Sequence, residues 1–370
     1  MNNKSNPFLN LAAPGIATLT PYVPGKPTSE LERELGICHS VKLASNENPL
    51  GCSEQVITAL QKQLNEVARY PDGSGFSLRN ALAKKHGVDP AAITLGNGSN
   101  DVLEMVARVF LAPGIESLFS EHAFAVYPIS SQAVGATLKR APATNYGHDL
   151  AAMATLVTDK TGVVWIANPN NPTGTWLKSA ELKNFISQLP ETTLVVVDEA
   201  YIEYVDEADY PDTSKWLNEF KNLIVTRTFS KAYGLASLRI GYSISDPAIA
   251  DLLNRVRQPF NVNSMALAAA EAALEDQAFI GRAVATNRIG MRQLCDGFQT
   301  MGLKWIPSVG NFVCVDVAEE ASQIDQALLQ EGCITRPIGA YGMPNHLRIT
   351  VGLESENQRI LMALRKVLNR

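Results

Sequence analysis

Three stretches of this chain are almost continuously apolar, and each ends abruptly in polar residues. They are Val163-Val164-Trp165-Ile166-Ala167, Leu194-Val195-Val196-Val197 and Leu223-Ile224-Val225. Runs without polar alternation suit strands buried on both faces, as in a parallel sheet covered by helices on each side. From about residue 46 the chain repeats strand, loop and helix. Ser53 is placed to cap a helix whose apolar stripe is Val56, Leu60, Leu64 and Val67. Ile93-Thr94-Leu95 reads as another strand, followed by a Gly-rich turn and a helix through Val102, Leu103, Val106 and Phe110. Beyond residue 271 the pattern predicts long helices, a strand at 311–317, a helix near 324–329, and a closing strand and helix. The chain is therefore read as α/β. A Pro-rich arm over 1–45 joins part of a small α+β domain over 271–370, and 46–270 form the large domain with a mainly parallel sheet.

The polar residues at the end of each apolar run are the informative feature. After the first run comes Asn168-Pro169-Asn170-Asn171-Pro172-Thr173-Gly174, and after the second Asp198-Glu199-Ala200-Tyr201. After the third comes Thr226-Arg227-Thr228-Phe229-Ser230-Lys231. Ligands of open parallel sheets bind beyond the carboxyl ends of the strands. An amide, a carboxylate with a phenol, and an amine flanked by hydroxyls are thus delivered to one edge. Taken singly, each group is ordinary: Asp caps helices, Lys faces solvent and Asn-Pro makes turns. Taken together they match the needs of pyridoxal 5'-phosphate. Its aldehyde needs an amine, and its ring, an electron sink, needs a carboxylate facing the pyridine nitrogen. At ~4 Å and an effective dielectric of about 20, such a pair interacts by roughly 4 kcal/mol before desolvation is subtracted. The phosphate needs backbone donors at a helix start, hydroxyls and an arginine. Gly98-Ser99-Asn100 opens a helix, and Arg239 lies eight residues beyond Lys231.

Composition removes several other classes. The net charge of -5, from 32 basic and 37 acidic residues, with no basic run, gives no expectation of nucleic-acid or membrane-surface binding. No apolar stretch approaches the ~18–20 residues that span a bilayer, and the first residues lack a signal peptide's apolar core. The five cysteines include no CxxC pair and read as free thiols of a reducing compartment, so a cytoplasmic location is expected. The five histidines are scattered, and no metal is expected. Gly96-Asn97-Gly98-Ser99-Asn100-Asp101, with Glu121 further on, approaches a dinucleotide fingerprint, but Asp101 stands where the third glycine belongs. A DNA-binding regulator built on a cofactor-binding core needs an added module. The Pro-rich residues before the α/β region are not expected to supply one.

The segment from Thr228 to Tyr242, TFSKAYGLASLRIGY, resembles the lysine motif of the fold-type I aminotransferases. Asn168–Gly174 and Asp198–Tyr201 look like that family's other two signatures, and the likeness extends over nearly the whole chain. Within the family the chain is most similar to the histidinol-phosphate aminotransferases, through Pro21–Gly25, Leu43–Pro49, Arg69–Asp72, Gly96–Asp101 and Leu347–Gly352. Related aromatic aminotransferases and threonine-phosphate decarboxylases share several of these segments. The resemblance implies the fold-type I architecture. It also implies transamination between histidinol phosphate and 2-oxoglutarate, giving imidazole acetol phosphate and glutamate in histidine biosynthesis.

The resemblance further implies residue roles. Lys231 would bind the cofactor aldehyde and move the proton at Cα, and Asp198 would pair with the pyridine nitrogen. Asn171 and Tyr201 would hydrogen-bond the ring 3-oxygen, and Phe124 would stack on the ring. Ser99, Asn100, Thr228, Ser230 and Arg239 would hold the phosphate. Tyr70 would reach the phosphate of a neighbouring subunit's cofactor, which implies a homodimer. Arg348 would grip a substrate carboxylate, with Arg336 as a second anion-binding arginine and Tyr22 beside it. Ser237 stands where the family usually has glycine, which leaves only the local loop geometry in question.

Overall fold

The computed structural model describes residues 6–22 and 24–370, so Val23 of the Pro21–Gly25 segment lies outside the described residues. Seven strands form the main sheet: β1 (Ile93–Gly96), β2 (Glu116–Ser120), β3 (Thr137–Ala141), β4 (Thr161–Ala167), β5 (Leu194–Asp198), β6 (Leu223–Thr228) and β7 (Gly241–Ser245). Their order across the sheet is β1-β7-β6-β5-β4-β2-β3. Neighbours from β6 to β3 pair in parallel, and β7 runs antiparallel to both β6 and β1. The three apolar runs are thus adjacent central strands, as their lack of alternation requires. Two hydrophobic clusters cover the sheet's faces. One contains Val164, Ile166, Val195, Val197 and Val225, and the other Val163, Trp165, Val196 and Ile224. Successive residues of one strand therefore pack in opposite directions, the period-2 geometry of an extended chain.

A four-stranded antiparallel sheet comes next: β8 (Lys304–Ile306), β9 (Phe312–Asp316), β10 (Arg336–Pro337) and β11 (His346–Thr350), in the order β8-β9-β11-β10. Its own core includes Leu294, Phe298, Val313, Val315, Leu347, Ile349 and Ile360. Residues Leu43 and Val41 from the N-terminal part of the chain pack there too. The segment Val41–Lys42 pairs with Cys333–Ile334, which carries residues 43–48 past the ends of both sheets.

Ser53 caps the helix Glu54–Gln63 by accepting the Val56 N–H at 3.3 Å. That helix ends sooner than its apolar stripe predicts. Leu64 and Val67 lie in and beyond a short 3-10 turn, and both are exposed. Ser237 sits in the 3-10 turn Ala236–Leu238, and the left-handed backbone falls two residues later at Arg239, with φ 57°. All five cysteines are free. Among the described residues no helix is long and apolar enough to cross a membrane.

Candidate active site

A cavity of about 380 Å³ opens where the carboxyl ends of β4, β5 and β6 meet the second sheet. Of the residues singled out in the sequence, Tyr22, Ser99, Asn100, Phe124, Asn171, Asp198, Tyr201, Thr228, Ser230, Lys231, Arg239, Arg336 and Arg348 line it. Tyr70 does not. It is 82% exposed and stacks on Phe260, with ring centroids 4.7 Å apart.

Asp198 ends β5, buried, in register with Thr226 of β6 and Ala167 of β4. Its Oδ1 accepts the Thr226 hydroxyl at 3.0 Å and its Oδ2 the Tyr127 hydroxyl at 2.9 Å. Burial pushes its pKa up to about 6, although both hydrogen bonds favour the charged form. A carboxylate so placed gains most from a cation facing it. Lys231 sits in the loop that turns β6 into β7, and its Nζ donates to the Ser45 carbonyl at 3.2 Å. Burial, with the Arg348 guanidinium second, lowers its pKa to about 7. An ordinary lysine is almost wholly protonated near neutral pH; this one is divided between an acid and a nucleophilic base.

The helix Ser99–Phe110 aims its free N-terminal amides at the same space, a ready anion site. Gly98 precedes it at φ 82°, and a Cβ there would come within 2.5 Å of Arg239 Nη2. Glycine thus allows the guanidinium to lie against the helix start. Arg239 also reaches Ser230 Oγ at 3.4 Å and the Ala236 carbonyl at 2.9 Å. Asp101, which stands in place of a third glycine, is engaged locally through its Oδ2. It accepts from the Asn97 N–H at 2.8 Å and from Asn261 Nδ2 at 2.7 Å.

The far wall belongs to the second sheet. Arg336 of β10 and Arg348 of β11 are opposite one another in register. Arg348 donates to Asn171 Oδ1 at 2.7 Å and to the Ala44 carbonyl at 2.6 Å, and its Nε, buried, meets no protein acceptor. The Arg336 guanidinium lies over the Tyr22 ring, 5.4 Å from its centroid. Both Asn168-Pro169 and Asn171-Pro172 are cis. Tyr201, buried, accepts from Asn46 Nδ2 at 2.9 Å, and burial pushes its pKa up to about 12. Among the described residues no cluster of three or more metal-ligating side chains occurs.

Sequence reasoning passed over Tyr127, Thr226 and Asn46. Tyr127 and Thr226 meet Asp198 through helix placement and strand register, which no local pattern reveals. Asn46 lies inside the Leu43–Pro49 segment already singled out, and only its partner was hidden.

An amine of lowered pKa, a buried carboxylate lining the same cavity and a helix start suited to anions, at the carboxyl edge of this sheet, match what a pyridoxal-phosphate enzyme acting on amines requires. The family model for aminotransferase class I and II matches residues 39–364, and the chain belongs to that family. It is 59% identical over 368 residues to histidinol-phosphate aminotransferase 2 of Pseudomonas fluorescens, covering 99% of this chain and 100% of that one. With histidinol-phosphate aminotransferase 2 of Pseudomonas aeruginosa it shares 57% identity, over 98% of each chain. The crystal structure of histidinol-phosphate aminotransferase from Sinorhizobium meliloti in complex with pyridoxal 5'-phosphate superposes with a TM-score of 0.89. The two are 30% identical, over 96% of this chain and 97% of that one. The cofactor is pyridoxal 5'-phosphate. The cavity fits it: the start of the Ser99–Phe110 helix with the Arg239 guanidinium lying against Gly98 suits a phosphate, and Asp198 suits a ring nitrogen.

Proposed function

We propose that the chain transfers the amino group of histidinol phosphate to 2-oxoglutarate, yielding imidazole acetol phosphate and glutamate in histidine biosynthesis. The names of its full-length relatives support this donor. The observation that carries the reading is the pairing of Arg336 with Arg348 in register on the cavity wall. The donor brings a phosphate and the acceptor brings two carboxylates, and two adjacent guanidinium forks serve either anion in turn.

When bound, pyridoxal phosphate supplies an aldehyde for amines and a ring that takes up electron density from Cα. Lys231 would hold that aldehyde and would serve as the base that accepts and returns the Cα proton, a task suited to a pKa near 7. Asp198 keeps the ring nitrogen protonated by presenting a carboxylate held by two hydroxyl donors. Asn171 and Tyr201 would hydrogen-bond the 3-oxygen, and Phe124 would stack on the ring. Ser99, Asn100, Thr228, Ser230 and Arg239 would hold the phosphate. The active unit in this reading is a cytoplasmic homodimer, with a large domain over 46–270 and a small one over 271–370 joined by the arm. The exposed Tyr70, with Leu64 and Val67 beside it in sequence, supplies an apolar patch for the partner and a phenol for its cofactor phosphate.

The test is rapid mixing of the cofactor-loaded protein with histidinol phosphate, phenylalanine or threonine phosphate, monitoring loss of the visible cofactor band. Fast loss with histidinol phosphate alone is expected. A faster response to phenylalanine would make the chain an aromatic aminotransferase. Carbon dioxide release from threonine phosphate would make it a decarboxylase.

A further inference from the structure

Asn46 is a buried polar residue with an unusual backbone. Its φ is 55°, in the left-handed region that asparagine tolerates better than most residues, and it is 1% exposed. Its four polar groups are all engaged. The backbone N–H donates to Thr350 Oγ1 at 2.9 Å, and the carbonyl accepts from Asn311 Nδ2 at 3.0 Å. The side-chain Oδ1 accepts the Thr350 hydroxyl at 3.1 Å, and Nδ2 donates to Tyr201 Oη at 2.9 Å.

These bonds fix one another's direction. Thr350, itself buried, receives the Asn46 backbone N–H on its oxygen, so its own hydrogen is free to point at Oδ1. The opposite amide orientation would place two donors on that oxygen and take the acceptor from the threonine hydrogen, a costly arrangement in a buried site. The amide nitrogen is thereby committed to Tyr201. Because Tyr201 Oη accepts there, its own hydrogen must point away from Asn46, and Tyr201 lines the cavity. Polarity therefore runs in one sense from the backbone of residue 46 through Thr350 and the Asn46 amide to the phenol.

We propose that Asn46 is a positioning residue that turns the Tyr201 hydroxyl hydrogen toward the ring 3-oxygen of the bound cofactor. This rests on the reading that Tyr201 faces that oxygen. It also ties the substrate wall to the cofactor, because Thr350 and Arg348 share β11 and the adjacent Ser45 carbonyl accepts from Lys231. Asn46 also borders the cavity but is 1% exposed, and it is assigned a positioning role through Tyr201.

The spectrum of the bound cofactor gives a readout independent of turnover. The 3-oxygen and the nitrogen joined to Lys231 share a proton. A donor on the 3-oxygen competes for it, so the nitrogen loses its proton at lower pH, and losing that donor raises the pH midpoint of the visible absorbance. The experiment titrates this absorbance in the cofactor-loaded wild type, Tyr201→Phe, Asn46→Asp and Asn46→Gly. Tyr201→Phe is expected to raise the midpoint by on the order of one pH unit, the worth of one hydrogen bond. Asn46→Asp should raise it at least as far, because a carboxylate takes the Tyr201 hydrogen for itself and adds negative charge nearby. Asn46→Gly accepts the left-handed backbone, frees the phenol to rotate, and should give a smaller rise in the same direction. If Tyr201→Phe shifts the midpoint while both Asn46 variants keep the wild-type value, the role of Asn46 is refuted and that of Tyr201 stands. If Tyr201→Phe leaves the midpoint in place, both fall. The donor assignment is untouched either way, since the mixing experiment decides it.

Discussion

Tyr127 donates its phenolic hydrogen to Asp198 at 2.9 Å from a ring stacked on Trp165, with centroids 5.3 Å apart and planes 10° from parallel. Trp165 is in turn held by its Nε1, which donates to Ser117 Oγ at 2.8 Å. The Asp198 carboxylate is thus oriented by a stack of fully buried aromatics, and Thr226 satisfies its other oxygen. Burial and the Asp198 charge both hold the Tyr127 hydroxyl far from ionising, so it acts only as a donor. Tyr127→Phe keeps the stack and removes that donor. A hydrogen bond to a charged group contributes about 1.5–3 kcal/mol, so the dissociation constant for pyridoxal phosphate should rise roughly tenfold or more. Equilibrium dialysis checks this, and circular dichroism should remain that of the wild type.

Lys231 carries a stability cost in the cofactor-free chain, and its lowered pKa is the reason. Its folded value, about 7, lies below the 10.5 of a free lysine. The cost is absent above the unfolded pKa of 10.5, where the amine is neutral in both states, and grows as pH falls toward about 7. Lys231→Met removes the buried charge. Near pH 7 the cofactor-free variant should therefore be more stable than the wild type by on the order of 4 kcal/mol. Denaturant titration at pH 7 and above pH 10 should show the gap close at the higher pH. The same variant should lose turnover by a factor on the order of 10⁴ or more, having neither the covalent anchor nor the proton carrier.

Arg336 and Arg348 should separate by half-reaction. Arg348→Lys keeps the charge but loses the fork that reaches both Asn171 and the Ala44 carbonyl. It should lower kcat/KM for 2-oxoglutarate by about 10–100-fold, the worth of a bidentate contact. Arg336→Gln should weigh more on histidinol phosphate, through KM more than kcat. Measuring each half-reaction separately, with the loaded and the aminated enzyme, distinguishes the two. Equal losses on both substrates in both variants would show that the two arginines share every anion equally, and would overturn the division by half-reaction.

Much of this site is legible in the sequence because its residues sit at the ends of strands that announce themselves. Val163–Ala167, Leu194–Val197 and Leu223–Val225 are apolar because both faces are covered, and the first polar residue after each marks the sheet's edge. What the sequence hides depends on register and on long reach. Thr226 meets Asp198 because β5 and β6 pair at that position, and Asn46 meets Tyr201 across 155 residues of chain. The helix ending at Gln63 is shorter than its apolar stripe because Leu64 and Val67 keep the apolar period while facing outward. Periodicity reports which residues avoid water, and an exposed apolar patch awaiting a partner looks the same as a core.

Directly after Asp198, Glu199 is wholly buried and ion-paired with Arg227, also buried, at 2.7 Å. Glu199 Oε2 accepts from both Nε and Nη2 of Arg227, and Oε1 accepts the Thr213 N–H and hydroxyl at 3.0 and 2.6 Å. Asp212 adds a second carboxylate at 2.6 Å from Arg227. Burial alone would lower the pKa of that guanidinium, but the surrounding acids, Glu199 foremost, raise it well above its ordinary value. Both carboxylate oxygens of Glu199 are met, so breaking the pair from one side strands a charge away from water. Glu199→Leu should therefore cost about 3–5 kcal/mol in denaturant titration. Glu199→Leu combined with Arg227→Met removes both charges, and should recover a large part of that loss. Because Glu199 and Asp198 are neighbours on one strand end, the single variant should also weaken cofactor binding, and the double variant should restore it in step with stability. A double variant no more stable than Glu199→Leu would show that Arg227 is satisfied without Glu199, and that the pair is not what holds this edge of the sheet.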